Sequence, residues 1–179
     1  MLKEAIVINL IGGPGCGKSI CCSEVFAALK RKSITCEISH EYIKRKLYEE
    51  AKKVVQNQIY IFGKQQFQLF SLKDSVEVIV TDSPILLSTI YDNTQCPHLK
   101  ALTIKEFNKY DNMIYFIERD DKIPYETAGR YQDKQGAKKV DDKVQIFLDE
   151  NNIPYKVLKG IGKDSLETII NDIEKLLQH

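Results

Sequence analysis

The residues best suited to chemistry form one glycine-rich stretch near the start of the chain. Residues 12–19 read Gly-Gly-Pro-Gly-Cys-Gly-Lys-Ser and fit the spacing G-x-x-x-x-G-K-[ST]. Glycines let backbone N–H groups turn toward a phosphate without Cβ clashes, and the helix predicted to follow adds the positive end of its dipole. The residues predicted to bind a nucleotide are Gly12, Gly13, Pro14, Gly15, Cys16, Gly17, Lys18, Ser19 and Ile20.

Two side chains of this phosphate loop (residues 12–19) and one distant carboxylate are predicted to manage the charge of the phosphates. Lys18 can reach the β- and γ-phosphates of ATP, and the Ser19 hydroxyl can ligate Mg²⁺. Asp82 ends an apolar, β-branched run and can hold the same Mg²⁺ through water. Because Asp82 is followed by Ser-Pro, a good helix start, a purely structural capping role stays open for it.

Polar residues further along the chain are candidates for contact with a phosphoryl acceptor. Glu41 follows the second predicted strand, and a carboxylate there could accept a proton from an attacking hydroxyl. Glutamate in the first turn of a helix is also favoured by the helix dipole, so this role stays open. Gln65 is another candidate acceptor contact, because amides suit a base edge, with a solvated face as the alternative. Tyr42, next to Glu41, is also a candidate acceptor contact.

The longest irregular segment, residues 119–135, contains Arg119 and Arg130 together with proline and glycine. Loops of this length are often lids over a site. Guanidinium groups carried by a closing loop stabilise the charge that spreads over a phosphoryl group in transfer. We therefore expect a lid with two candidate catalytic arginines, the alternative being two solvated surface arginines.

Apolar runs alternate with helical periods and must position all of these residues. The predicted strands cover residues 5–11, 34–39, 76–81, 113–117 and 155–158. The predicted helices cover residues 41–56, 58–72, 104–110, 136–150 and 165–178, with one more directly after the phosphate loop. This alternation predicts a three-layer α/β fold with five parallel strands and helices on both faces, in a single domain over residues 1–179. The phosphate loop between the first strand and the first helix makes it a fold of the P-loop NTPase type.

The predicted helix over residues 58–72 is expected to place Ile59, Phe62, Phe67 and Phe70 on its apolar face. Gly63 lies inside this helix, where glycine disfavours continuity. The basic runs along the chain have acidic neighbours that offset them and are expected to form solvated faces.

Composition limits the classes of protein that the chain can represent. It has 179 residues, 43% hydrophobic, and a net charge of +1 from 26 basic and 25 acidic residues. A disordered chain is excluded by the apolar content, and a protein that coats nucleic acid would carry a basic excess. No apolar run reaches the ~20 residues needed to span a bilayer, and the N-terminus lacks a leader pattern, so a cytoplasmic globular protein is expected. The five cysteines include no C-x-x-C pair, which argues against zinc and disulfides.

The phosphate loop resembles that of adenylate-kinase-like nucleotide kinases. The wider pattern resembles small AAA-type P-loop ATP-binding proteins of bacteriophages, which are similar to the kinase domain that phosphorylates nicotinamide riboside. The resemblance implies that Glu41 is the catalytic base, Asp82 the metal-side acid, and Arg119 and Arg130 lid arginines. The segments that carry it are residues 39–42, 60–65, 80–84, 107–112 and 129–130.

The expected function is therefore that of a kinase that uses ATP and Mg²⁺. Its γ-phosphoryl group would pass to a hydroxyl or phosphate of a nucleoside or nucleotide-like small molecule. Two alternatives stay open: a kinase that acts on a hydroxyl of DNA, RNA or a modified base, and an NTPase switch without an acceptor. No membrane partner is expected, and a homodimer is compatible with the sequence.

Overall fold

A computed structural model describes residues 5–43, 46, 52–120 and 134–177. Its sheet has five parallel strands in the order β2-β3-β1-β4-β5, which confirms the predicted fold class. β1 lies at the centre and all six of its residues are buried, as expected of a strand covered on both faces. The strands are β1 (Ile6–Ile11), β2 (Cys36–Ser39), β3 (Val78–Thr81), β4 (Asp111–Glu118) and β5 (Lys156–Lys159).

Helices connect the strands and cover both faces of the sheet. One begins at Pro97, where the missing N–H of proline costs nothing, and so starts earlier than the helix predicted from residue 104. Across the described ranges, no helix combines the length and the apolarity that a membrane span requires. The helices are α1 (Lys18–Arg31), α2 (Lys52–Val55), α3 (Gln58–Leu72), α4 (Leu87–Ile90), α5 (Pro97–Phe107), α6 (Lys134–Glu150) and α7 (Lys163–Leu177).

Alternate residues of the strands enter two separate hydrophobic clusters, one on each face of the sheet. Val7 and Ile79 lie in the cluster that α3, α5 and α6 cover, whereas Ile8 and Val80 lie in the cluster that α1 and α7 cover. Cys21, Cys22 and other apolar residues of α1 fill the second cluster, so the adjacent cysteines are core residues as expected. The period-two alternation of the strands thus produces the three layers.

The structure corrects the predicted apolar face of α3. The helix has the predicted bounds, but Ile59, Phe67 and Phe70 are 68%, 63% and 56% exposed. The sheet-facing side instead carries Phe62, correctly predicted, and Gln65. Gln65 occupies the buried side because its amide hydrogen-bonds the ends of two strands. The periodicity of apolar residues does not show this, so it predicted the wrong face of the helix. The other buried residues of α3 are Ile61 and Leu69.

The segment predicted as a helix over residues 41–56 is only partly described. Tyr42, Ile43 and Lys46 have helical backbone, as does α2. Of the predicted lid, Arg119, Asp120 and the first two residues of α6 are described. Arg130 lies outside the described residues.

Candidate functional site

The phosphate loop joins the central strand β1 to the N-terminus of α1, at the carboxyl edge of the sheet. Gly12, Gly15 and Gly17 have φ values of 148°, 77° and 99°, which glycine adopts without a Cβ penalty. Gly17 caps α1, so the helix begins at Lys18, where its orphan N–H groups face the loop. The motif therefore folds into a cradle of the kind that its sequence predicts.

Lys18 lies against the backbone of its own loop. Its Nζ donates hydrogen bonds to the carbonyl oxygens of Gly12 and Gly13, at 2.8 and 2.7 Å. The Cys16 sulfur is a third, longer contact at 3.8 Å. The positive charge is thus held at the loop itself, within reach of any anion that the loop binds.

A residue that the sequence did not suggest, Asp141 of α6, also holds the loop. Its Oδ1 accepts a hydrogen bond from the Gly13 N–H. Its Oδ2 accepts from Nε and Nη2 of Arg119, at 3.0 and 2.9 Å. The side chains of Arg119 and Asp141 are each only 11% exposed. The structure therefore brings the predicted Arg119 beside the phosphate loop through a carboxylate.

A sequence signal for Asp141 did exist. It lies four residues after Ala137 and three before Val144, both fully buried, on the apolar side of α6. A carboxylate within an apolar helical stripe needs a partner because an unpaired charge is costly to bury. Its neighbour Asp142 is exposed. In the sequence the two adjacent aspartates resemble a solvated acidic surface, so the buried position of Asp141 is easily missed.

Asp82 follows β3, the neighbour of β1, and is 5% exposed. Its Oδ1 accepts a hydrogen bond from the Glu41 N–H at 3.1 Å, so two predicted site residues from different strand ends lie together. Burial, and after it the negative charge of Asp82, raise the pKa of the Cys22 thiol. Asp82 therefore lies close enough to α1 for its charge to act on Cys22, which is three residues after Ser19.

Gln65 holds the strand ends beside this site. Its Nε2 donates to the carbonyl of Ser83 at 2.9 Å, and its Oε1 accepts from the Tyr42 N–H at 3.1 Å. The hydroxyl oxygens of Tyr42 and Tyr60 lie 2.9 Å apart, and the two rings contact each other edge-on. Gln65 is 2% exposed and engaged by protein on both polar atoms, whereas Glu41 and Tyr42 are half-buried.

The donor atoms at this edge suit Mg²⁺. The Ser19 hydroxyl is exposed at the start of α1, and Asp82 offers a carboxylate, so both are hard oxygen ligands. Among the residues that the structure describes, no three His, Cys, Asp or Glu side chains form a metal cluster.

Comparison with known proteins agrees with this geometry. A family described as AAA domain matches residues 7–164. A search of curated proteins gave no match. The structure of a deoxyadenosine kinase from M. mycoides with bound dATP superposes with a TM-score of 0.62, at 19% identity, over 94% of this chain and 99% of that chain.

Two further solved structures are similar. The NadR protein in complex with NR gives a TM-score of 0.64 at 16% identity over 96% of this chain, which spans 50% of that chain. Shikimate kinase from Acinetobacter baumannii in complex with shikimate gives 0.57 at 13% identity, over 99% of this chain and 95% of that chain. These likenesses establish a P-loop kinase-like fold and confirm the predicted resemblance.

Proposed function

The chain belongs to the AAA domain family, and from that premise we propose that it is an ATP- and Mg²⁺-dependent phosphotransferase. It would move the γ-phosphoryl group to a hydroxyl or phosphate of a nucleoside- or nucleotide-like small molecule. The observation that carries the proposal is the Lys18 ammonium held inside a glycine loop at the N-terminus of a helix. Such a loop binds the phosphate tail of a nucleotide.

Phosphoryl transfer asks little covalent chemistry of the protein and depends on positioning and charge stabilisation. The N–H groups around Gly15 and Gly17 would face the phosphates, and Lys18 would exchange its carbonyl partners for phosphate oxygens. Ser19 and Asp82 would hold Mg²⁺, whose charge offsets that of the phosphates when it is bound. These roles are part of the proposal.

The acceptor would lie beside Glu41, where the ends of β2 and β3 meet. Glu41 would take the proton from the attacking hydroxyl, and Tyr42 would contact the acceptor. The predicted contact from Gln65 stays in the proposal, and its bonds to Tyr42 and Ser83 would also fix this wall. Relatives of this fold whose names include deoxyadenosine kinase and shikimate kinase support a small hydroxyl-bearing acceptor.

Several predictions accompany this function. Arg119 and Arg130 are proposed to stabilise the phosphoryl group in transfer, with Arg130 outside the described residues. The single-domain organisation and a cytoplasmic location remain predictions, a homodimer stays compatible with the sequence, and the likeness to bacteriophage proteins remains a resemblance.

An acceptor screen tests the proposal. Purified protein would be incubated with labelled ATP and Mg²⁺ over nucleosides, nucleotides and oligonucleotides, and transfer would be measured. We expect transfer to a nucleoside or nucleotide, and a loss of at least about a hundredfold in Lys18→Ala, which removes a donor to the phosphates. Lys30→Ala is the matched control, because Lys30 is an exposed lysine at the far end of the same helix.

Other outcomes of the screen would overturn the proposal. Transfer only to oligonucleotides, with binding that weakens steeply with salt, would point to a nucleic-acid kinase. Slow hydrolysis without transfer to any acceptor would point to an NTPase switch. Equal activity in Lys18→Ala and Lys30→Ala would mean that the phosphate loop takes no part in phosphoryl transfer.

A further inference from the structure

Gly13 is held from two sides by ionised side chains on different helices. Its N–H donates to Oδ1 of Asp141 in α6, and its carbonyl accepts from Lys18 in α1 at 2.7 Å. We propose that Asp141 is a positioning residue that fixes Gly13, and with it the width of the phosphate loop. This inference rests on the proposed use of the loop for a nucleotide.

The carboxylate of Asp141 lies inside the protein and is not a surface group. Asp141 is 8% exposed, on the apolar side of α6. A charge buried there needs a partner and hydrogen bonds for all of its lone pairs. Arg119 supplies the partner through two guanidinium nitrogens on Oδ2, which leaves Oδ1 for Gly13.

Close packing also joins α6 to the phosphate loop at Gly13. A Cβ added to Gly13 would clash with the carbonyl oxygen of Ala137 and would lie 2.7 Å from Oδ1 of Asp141. It would also lie 3.2 Å from Nη2 of Arg119. The backbone of α6 therefore touches the loop at Gly13, and this helix begins where the predicted lid ends.

The two contacts of Gly13 have different consequences when a polyphosphate binds. In the proposed exchange Lys18 would trade the Gly13 carbonyl for a phosphate oxygen, so that contact would be lost. Asp141 bonds the N–H of Gly13 and does not compete for Lys18, so it keeps the loop in place during the exchange. It also keeps the Arg119 guanidinium beside the loop, where its charge favours anions.

Asp141→Asn tests the inference, with Asp142→Asn as the matched control. An amide offers one acceptor oxygen where the carboxylate offers two, so Gly13 and Arg119 cannot both keep their bonds. We expect calorimetry with MgATP to give about tenfold weaker binding for Asp141→Asn, the usual cost of a charge-assisted hydrogen bond. Asp142, one residue along, is exposed, and its variant should bind within about twofold of the wild type.

A second variant guards against misfolding. Asp141→Asn combined with Arg119→Gln leaves no unpaired buried charge, and we expect it to bind MgATP about as weakly as the single variant. Binding is measured well below the melting temperature, so that lower stability alone does not change it. Wild-type affinity in either folded variant would overturn the inference, as would failure of both to fold, which would make the role purely structural.

The same data separate this inference from the proposed function. If the wild type bound no MgATP, or if Lys18→Ala bound it equally well, the function itself would fail. If Lys18→Ala lost binding while both variants of Asp141 kept it, only the positioning role would fail.

Discussion

Gly13 and Gly63 differ in what surrounds the place where a Cβ would stand. At Gly13 that place is filled by the backbone of α6 and by a carboxylate oxygen. At Gly63, in the middle of α3, nothing lies within 4 Å. Neither residue has a positive φ, so packing alone separates them. The first glycine is required by a close approach, the second is not.

Alanine at these two positions should therefore have opposite effects. We expect Gly13→Ala to displace the phosphate loop from α6 and to reduce MgATP binding at least tenfold, about 1.4 kcal/mol. Gly63→Ala should leave binding unchanged and stabilise the protein by about 0.5–1 kcal/mol, because alanine loses less backbone entropy in a helix. Calorimetry and thermal unfolding of both variants give the comparison. Normal binding in Gly13→Ala would contradict the steric argument.

The sequence identified some site residues better than others. The shape of the loop around Lys18 could be predicted because the motif is contiguous and its spacing is that of phosphate-binding loops, whereas the binding of a nucleotide remains a proposal. The proximity of Glu41 and Asp82 could be predicted because strand ends of a parallel sheet share one edge, whereas their roles remain proposals. The partners of Asp141 could not be predicted, because Gly13 and Arg119 are more than twenty residues away and no local pattern joins them to it. Its place in the apolar stripe of α6 indicates only that it needs a partner.

At the scale of elements, α3 shows how a buried amide can reverse an apparent helical face. Its outer side presents Ile59, Phe67 and Phe70 to solvent, while Gln65 points into the protein. Periodicity assigns the larger apolar residues to the core, and it has no means of knowing that an amide will join two strand ends. The bounds of the helix were nevertheless predictable, because Asn57 caps its first turn.

Two phenylalanines on opposite sides of α3 test this assignment. Phe62 is 6% exposed and Phe67 is 63% exposed. We expect Phe62→Ala to lower the free energy of unfolding by about 3–5 kcal/mol, through lost burial and a cavity. Phe67→Ala should change it by no more than about 0.5 kcal/mol. Denaturant unfolding of the two variants measures the difference, and equal losses would mean that the Phe67 side is covered.

Element boundaries were less predictable than element types. β4 begins at Asp111, two residues before the predicted start, because Asp111 pairs with Ile6 of β1. The apolar pattern cannot report such pairing, since it depends on a strand far away in the chain. The order of the strands in the sheet could not be predicted from the sequence for the same reason.

At the scale of the whole molecule, carboxylates fasten distant segments to one another. Glu77 accepts hydrogen bonds from the hydroxyl and N–H of Thr35, which lower the pKa of its carboxyl. Burial alone would raise the pKa of Asp172, but hydrogen bonds from Lys156 and Tyr115 outweigh it and lower that pKa. Both groups therefore favour the folded state only when they are ionised.

These shifts predict how stability depends on pH. A carboxyl with a folded-state pKa below its unfolded value contributes stability above the unfolded value, about 4, and loses it as pH falls through the folded value. We expect the free energy of unfolding to fall as pH decreases below about 4. The decrease should be shallower in a variant with Glu77→Gln and Asp172→Asn. Denaturant unfolding from about pH 7 to about pH 3 measures both slopes, and identical slopes would contradict the assignment.

The two hydrogen bonds from Lys18 to backbone carbonyls have a consequence for how strongly the loop would bind a polyphosphate. A lysine side chain carries about 2 kcal/mol of rotamer entropy, which a flexible side chain gives up when it grips a ligand. In this protein the restriction is already imposed by Gly12 and Gly13. Under the proposed function, a polyphosphate that entered the loop would exchange partners with an ammonium that is already restricted, so less of its binding enthalpy would be cancelled by lost motion.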